Sequence, residues 1–219
     1  MSATEWRAKR MGWRGCGREF LVAGVLVGAG IAFLGGSAAS AQAGAMGQPD
    51  RAPVGWFLAG SKPTSYRTGI DRQVVRDARP SAYLVSAVMD TGGFGTLMQS
   101  INATQYAGKR VRLRAWVQSK DVTGWAGLWM RVDKGQTAVG FDNMERRAIH
   151  GTSPWTAYDV VLDVPADATG ISFGTLLAGA GEVWLSSVEF QVVGQEVPAT
   201  GDMGAHPLPL TPVNLDFQQ

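Results

Sequence analysis

Two stretches in the middle of the chain alternate strictly with a period of two. In residues 109–120, Val111, Leu113, Ala115 and Val117 share one side, while Arg110, Arg112, Arg114, Trp116 and Gln118 share the other. In residues 125–133, Ala126, Leu128, Met130 and Val132 share one side, while Trp125, Gly127, Trp129, Arg131 and Asp133 share the other. Such alternation predicts half-buried strands. The second faces mix indoles with guanidinium groups, a composition suited to a flat, polar ligand.

Shorter signals of the same kind lie at 56–59, 82–89, 94–100, 138–142, 157–164, 170–177 and 183–193. With 110–119 and 125–132 they form a series of short strands, punctuated by Gly, Asp, Pro and Ser as turns require. No segment has a long period of 3.6 with caps. Residues 96–105 offer at most a helical turn, and Gly92-Gly93-Phe94-Gly95 in front argues against a helix. Eight to ten short strands with few helices predict an all-β sandwich or barrel over residues 54–193. Residues 44–53 read as a linker and 194–219 as a Pro/Gly-rich tail. Within that tail, 213–217 carries a small strand signal, either a strand returning to cover a sheet edge or a frayed end.

The first 43 residues have a different composition. Arg7, Lys9, Arg10, Arg14 and Arg18 make a basic start against Glu5 and Glu19. An uncharged apolar run of 15 residues follows at 20–34, then the small-residue sites Ala39-Ser40-Ala41 and Ala41-Gln42-Ala43. These are the three parts of a secretory signal peptide. Extended through its glycines and alanines to residue 43, the run also reaches the length of about 20 residues that an uncleaved anchor needs. Gly17-Arg18-Glu19-Phe20-Leu21 resembles a twin-arginine signal, but Gly17 stands in place of the first arginine, which favours ordinary secretion. The expectation is an exported protein, periplasmic or extracellular, touching a membrane only through residues 20–43 if they are retained.

The leader alters the charge balance. The whole chain has 20 basic and 18 acidic residues. Subtracting the leader's five and two leaves 15 and 16, a net −1. A domain of that charge gives no footprint for nucleic acid. Cys16, the only cysteine, lies in the leader, so the domain must rest on its hydrophobic core without disulfides.

Trp155-Thr156-Ala157-Tyr158-Asp159-Val160-Val161-Leu162-Asp163-Val164-Pro165, Ile171-Ser172-Phe173-Gly174 and Gly181-Glu182-Val183-Trp184-Leu185 resemble late strands of galactose-binding-like jelly rolls. Residues 109–117 resemble a middle block of the same group, which includes many carbohydrate-binding modules. The resemblance spans roughly 56–193 and implies a jelly-roll sandwich, although this fold hosts many functions. Similar blocks, including an Asn-Leu-Asp-Phe segment, occur in uncharacterised bacterial exported proteins, some joined to DNA-binding regulators. This sequence has no helix-turn-helix pattern. Where the group commonly carries an Asp pair for a structural calcium, Ser186 and Ser187 stand here. Hydroxyls replace carboxylates poorly for a hard cation, so no cofactor is expected.

Trp116, Trp125 and Trp129 with Arg112, Arg114 and Arg131 form the leading candidate site. Adjacent strands would bring Trp116 and Trp129 together on one sheet face. There the indoles would stack on sugar C–H surfaces and the arginines would hydrogen-bond hydroxyls or carboxylates. The alternative is a satellite aromatic cluster under loops, with the arginines in surface ion pairs. Asp142 and Asn143 would add hydrogen bonds, or simply shape a turn.

Other motifs carry little. Thr91-Gly92-Gly93-Phe94-Gly95-Thr96 lacks the Lys-Ser/Thr and capped helix of a phosphate loop. Asn102-Ala103-Thr104 matches the glycosylation pattern by composition alone. His150 and His206 are far apart, and no metalloprotease or serine-hydrolase motif occurs. Asp159 and Asp163, four residues apart on a strand, are about 13 Å apart by strand rise, too far for a carboxylate pair. The expectation is a non-catalytic carbohydrate-binding domain, with a structural or protein-interaction domain of the cell envelope as alternative and a jelly-roll hydrolase as third reading.

Overall fold

The computed structural model describes residues 50–201. The leader at 1–43, most of the linker, His206 and the strand signal at 213–217 lie outside them. The described chain forms nine strands. They are β1 (Phe57–Gly60), β2 (Tyr66–Arg76), β3 (Arg79–Ser86), β4 (Phe94–Asn102), β5 (Arg110–Lys134), β6 (Thr137–Asp142), β7 (Ile149–Asp163), β8 (Gly170–Ala178) and β9 (Glu182–Val193). Two single-turn 3-10 helices, Pro63–Ser65 and Glu145–Arg147, accompany them. Among the described residues, no helix is long and apolar enough to cross a membrane.

All strand pairs are antiparallel, and β5 joins two layers. Its first half pairs with β7 on one side and β9 on the other, and β3 and β2 continue that layer beyond β9. Its second half pairs with β6 and β8, and β4 and β1 continue the second layer. Val111, Leu113, Ala115 and Val117 from one layer share a core with Ala126, Leu128, Met130 and Val132 from the other. The fold is an all-β jelly-roll sandwich, as the sequence predicts.

The two alternating stretches are one bent strand. Inward positions are odd-numbered up to Val117 and even-numbered from Val122 onward. The switch occurs where the β5–β7 register slips between Ser119 and Ala126. Asp121 there has φ 53°. An extra residue at a bulge turns every later side chain to the other face. The chain thereby crosses between layers while keeping its apolar side on the core.

Strand β2 has no counterpart among the predicted strands. Its turn into β3 is the two-residue loop Asp77-Ala78, both residues left-handed at φ 48° and 59°. Such hairpin turns favour Asn-Gly or Asp-Gly, so the usual glycine signal is missing. The candidate helical turn at 96–105 is strand as far as Asn102.

Candidate functional site

The outer side of the first layer is polar and tightly paired. Arg110 makes a two-pronged contact with Asp163 at 2.8 Å per prong, and Arg114 does so with Asp159 at 2.7 and 2.6 Å. Arg112 donates from Nη2 to Gln191 Oε1 at 2.6 Å. The hydrogen bonds from Arg110 hold the Asp163 carboxyl below its ordinary range, against a smaller upward push from burial. Trp116, half-buried beside these groups, carries the Arg76 guanidinium 3.8 Å above its ring. Arg76 also donates to Ser187 Oγ at 3.0 Å. Hairpin β2–β3 thus lays a cation over one face of the indole.

On the same layer lies an open cleft of about 280 Å³, lined by Asp50, Arg67, Asp71, Tyr83, Val85, Glu182 and Trp184. Register explains the grouping. Trp184 on β9 faces Tyr83 on β3, which faces Gly69 on β2, while Glu182 faces Val85 and Val85 faces Arg67. The Tyr83 ring lies flat against Gly69, where a Cβ would meet it at 2.7 Å. Only glycine leaves room for the ring at that place. Trp184 Nε1 donates to Asp71 Oδ2 at 2.9 Å, and Asp71 Oδ1 accepts the amides of Gln73 and Val74 at 2.8 and 2.9 Å.

Two groups in the cleft are shifted from their ordinary acidity. Burial pushes Asp71 upward, but the Val74 and Gln73 amides and the Trp184 indole together leave it lowered. Tyr83 donates to Asp50 Oδ1, and burial together with that hydrogen bond and the Asp50 charge pushes the phenol up to about 12. Arg67 stands 3.6 Å from Asp50, and Glu182 is 3.4 Å from Lys120. At the rim, the Arg67 fork and the carboxylates of Asp50 and Glu182 are well exposed to solvent. The cleft therefore offers an aromatic wall, a charged donor and two carboxylate acceptors around one opening.

The outer side of the second layer differs. Trp129 lies opposite Gly174 on β8 and is only 1% exposed, with Nε1 donating to Thr96 Oγ1 at 2.7 Å. Ala59, Met98 and Leu176 are buried with it, and Phe57, Phe94, Trp125 and Phe141 pack half-buried around them. Trp116 and Trp129 thus face outward from different layers, not from one sheet face, because the bend in β5 separates them. Arg131 pairs with Asp133 at 2.9 Å.

Asp142 and Asn143 form the turn after β6. Asp142 Oδ1 accepts the Met144 amide at 2.8 Å, and Oδ2 accepts Arg147 Nη2 at 2.7 Å and the Thr200 hydroxyl. Asn143 Oδ1 accepts the Glu145 amide at 3.1 Å. These bonds hold Met144 left-handed at φ 62°, with its side chain buried beneath the turn.

The residues that meet in the cleft come from β2, β3, β9 and the chain before β1. Trp184 and Glu182 were visible in the sequence as part of the jelly-roll resemblance, but nothing in it paired them with Tyr83, Asp71 or Arg67. Among the described residues, no group of three or more His, Cys, Asp or Glu could hold a metal ion. Ser187 serves as the partner of Arg76, while the buried Ser186 hydroxyl makes no hydrogen bond.

No family model matches the chain. It is 45% identical over 167 residues to the Uncharacterized HTH-type transcriptional regulator YbfP of Bacillus subtilis (strain 168). The match takes in 75% of this chain and 57% of that protein, so the chain spans little more than half the regulator's length. Among solved structures, it is similar to the enzymatically active domain of bacteriophage CBA120 tailspike protein 4. That likeness has 17% identity and a TM-score of 0.49, and covers 64% of this chain and 20% of that one. It is also similar to the CBM22-1 xylan-binding domain of Paenibacillus barcinonensis Xyn10C. Here the identity is 12% and the TM-score 0.47, over 66% of this chain and 90% of that one.

Proposed function

We propose that this chain is an exported carbohydrate-binding module that holds its ligand in the Trp184–Tyr83 cleft without turning it over. One observation carries the reading, the convergence of the partly exposed Tyr83 ring, packed beside the buried Trp184, with a guanidinium group and carboxylates around one open cleft. A sugar ring offers C–H surfaces and paired hydroxyls. The Tyr83 ring suits the former, and Arg67, Asp50 and Glu182 suit the latter. The cleft volume is at the low end for a small-molecule site, which fits one sugar ring at the end or edge of a chain. Glycoside hydrolysis needs a carboxyl kept protonated. Asp71 has both oxygens held by donors, so it is not free to supply that group, which supports binding without catalysis. Export rests on the leader, and N-terminal sequencing of the secreted protein tests it.

A glycan array with the purified protein tests the cleft, beside Tyr83→Ala and Glu182→Gln variants. The expected result is binding that both substitutions abolish or weaken at least tenfold. Binding that ignores both changes, or no binding at all, ends the proposal.

A second reading draws on the regulator. A match of that length takes in most of the sandwich wherever it begins. A module shared with a protein named as a transcriptional regulator suits a protein-interaction or signal-receiving domain. A partner that co-purifies in fixed ratio, and stays bound in excess sugar, favours it.

A further inference from the structure

The sandwich has an open side where the edge strands of its two layers, β1 and β2, end the run of described strands. A crevice of about 300 Å³ lies at this edge. One wall is the core side of β2, β3 and β9. There Ile70 faces Ala82, and Ala82 faces Leu185, which is buried in the main core. The other wall is Pro53 and Trp56, on the chain entering β1. Trp56 meets Phe173 of the second layer edge-on, with ring centres 5.9 Å apart.

Residues on the inner side of a sandwich are ordinarily sealed by the facing sheet. Here Ile70 stays 37% exposed, as does Val188 just past the left-handed Ser187. Apolar side chains around a concave opening are the usual lining of a small-molecule site. No acidic residue lines the crevice, and its charged member is Arg72. Arg67 and Arg76 on the same strand meet Asp50 and Asp77 at 3.6 and 2.8 Å. Arg72 is exposed and enters no ion pair among the described residues.

We propose that the crevice is a second binding site, which takes a small apolar carboxylic acid in its ionised form. The hydrocarbon body lies against Ile70, Val188 and Trp56, and the carboxylate meets the Arg72 fork at the rim. A guanidinium group offers a carboxylate two parallel N–H donors. A cation of the same size would instead meet a like charge there. A sugar is poorly served, because the Ser81 and Ser187 hydroxyls are already bonded to Val74 O and Arg76. The volume lies at the low end for such sites, which fits a compact acid rather than a long lipid. The site is independent of the carbohydrate reading. Tyr83 and Trp184 alternate with Ala82 and Leu185, so cleft and crevice lie on opposite faces of the same strands.

Isothermal titration calorimetry of the full chain with octanoate, phenylacetate and octylammonium tests the site. At least one carboxylate binds and octylammonium does not. Arg72→Gln weakens the carboxylate at least tenfold, with circular dichroism unchanged because the side chain is exposed and unpaired. Ile70→Asp, which sets a like charge in the apolar wall, abolishes binding. If that variant loses its β-sheet circular dichroism, Arg72→Gln decides alone. Amide hydrogen exchange at 68–72 and 185–188 slows when the carboxylate is bound, which places it in the crevice. Absence of carboxylate binding, binding that Arg72→Gln leaves unchanged, or equal uptake of octylammonium overturns the proposal. So does sedimentation showing that a second copy of the chain covers the crevice. Sugar binding is not among the readouts, so failure of the crevice and failure of the cleft are told apart.

Discussion

On the first half of β5, the outward arginines each meet a polar partner, and Trp116 lies beneath the Arg76 guanidinium. On the second half, the outward Trp129 is sealed into an apolar cluster, its indole donating to Thr96 Oγ1. The two halves have the same alternation and the same strand, yet one outer face is a network of charges and the other a second small core. The difference lies in the neighbours. Strands β7 and β9 bring Asp159, Asp163, Glu189 and Gln191 beside the first half. Strands β8, β4 and β1 bring Gly174, Leu176, Met98 and Phe57 to the second. Alternation identifies the side that faces the core. What covers the opposite side depends on strands far away in sequence.

The comparison is tested hardest by truncating both indoles. Trp129→Ala should cost about 3–5 kcal/mol, the range for emptying a large buried aromatic site. Trp116→Ala should cost about 1–2 kcal/mol, because it removes half-buried area and one cation–π contact. Urea denaturation of the two variants measures both. Equal losses would break the distinction between the two faces.

The same physics explains what could be read from the sequence. The inward sets of β5 were fully legible, because one buried side imposes strict alternation. The bend was not, because Asp121 and Gly124 read as a turn between two strands rather than a bulge within one. Strand β2 was missed because Arg67, Asp71, Arg72 and Gln73 obscure its pattern and Asp77-Ala78 lacks the glycine of a hairpin turn. The turn chemistry of Asp142 and Asn143 is legible, because such side chains accept backbone amides two residues on, as both do here. The cleft was illegible, because Asp71, Tyr83 and Trp184 meet only through the β2–β3–β9 register.

Charge dependence should separate the faces next. The fold favours the neutral Tyr83 phenol, whose acidity moves from its ordinary value of about 10 to about 12. Its contribution is therefore complete below pH 10 and lost as pH rises from 10 through 12. A pH series of denaturation midpoints should fall across that window, with the tyrosinate of Tyr83 appearing late, as does that of Tyr66, whose phenol is also pushed up by burial. Asp50→Asn should bring the Tyr83 titration to lower pH, since it removes the charge beside the phenol and leaves only a neutral, weaker acceptor. Trp129→Phe should leave the titration unchanged, since its cluster holds no titrating group from the cleft. A fall in Trp129→Phe alone would mean that the layers are coupled.

A smaller effect belongs to the hairpin that carries Arg76. Ala78 at φ 59° occupies a region that costs a residue with a Cβ about 1–2 kcal/mol. Ala78→Gly removes that strain but adds freedom to the unfolded chain. The net gain should be about 0.5–1 kcal/mol, read as a higher denaturation midpoint. A loss instead would show that the methyl group supports the hairpin over Trp116.

The smallest effect is expected where the contacts are most numerous on paper. Arg114 grips Asp159 with two bonds of 2.7 and 2.6 Å, yet their side chains are 39% and 31% exposed. Water and salt screen such a pair, and holding two long side chains costs entropy. A double-mutant cycle of Arg114→Ala and Asp159→Asn should give a coupling of about 0.2–1 kcal/mol, shrinking as salt is raised. The Trp129→Ala loss should hardly respond to salt, because apolar burial has no charge to screen. If the ion pair instead carried several kcal/mol and resisted salt, the first face would be as sealed as the second. The contrast between the two halves of β5 would then be one of chemistry alone, with no difference in exposure to water.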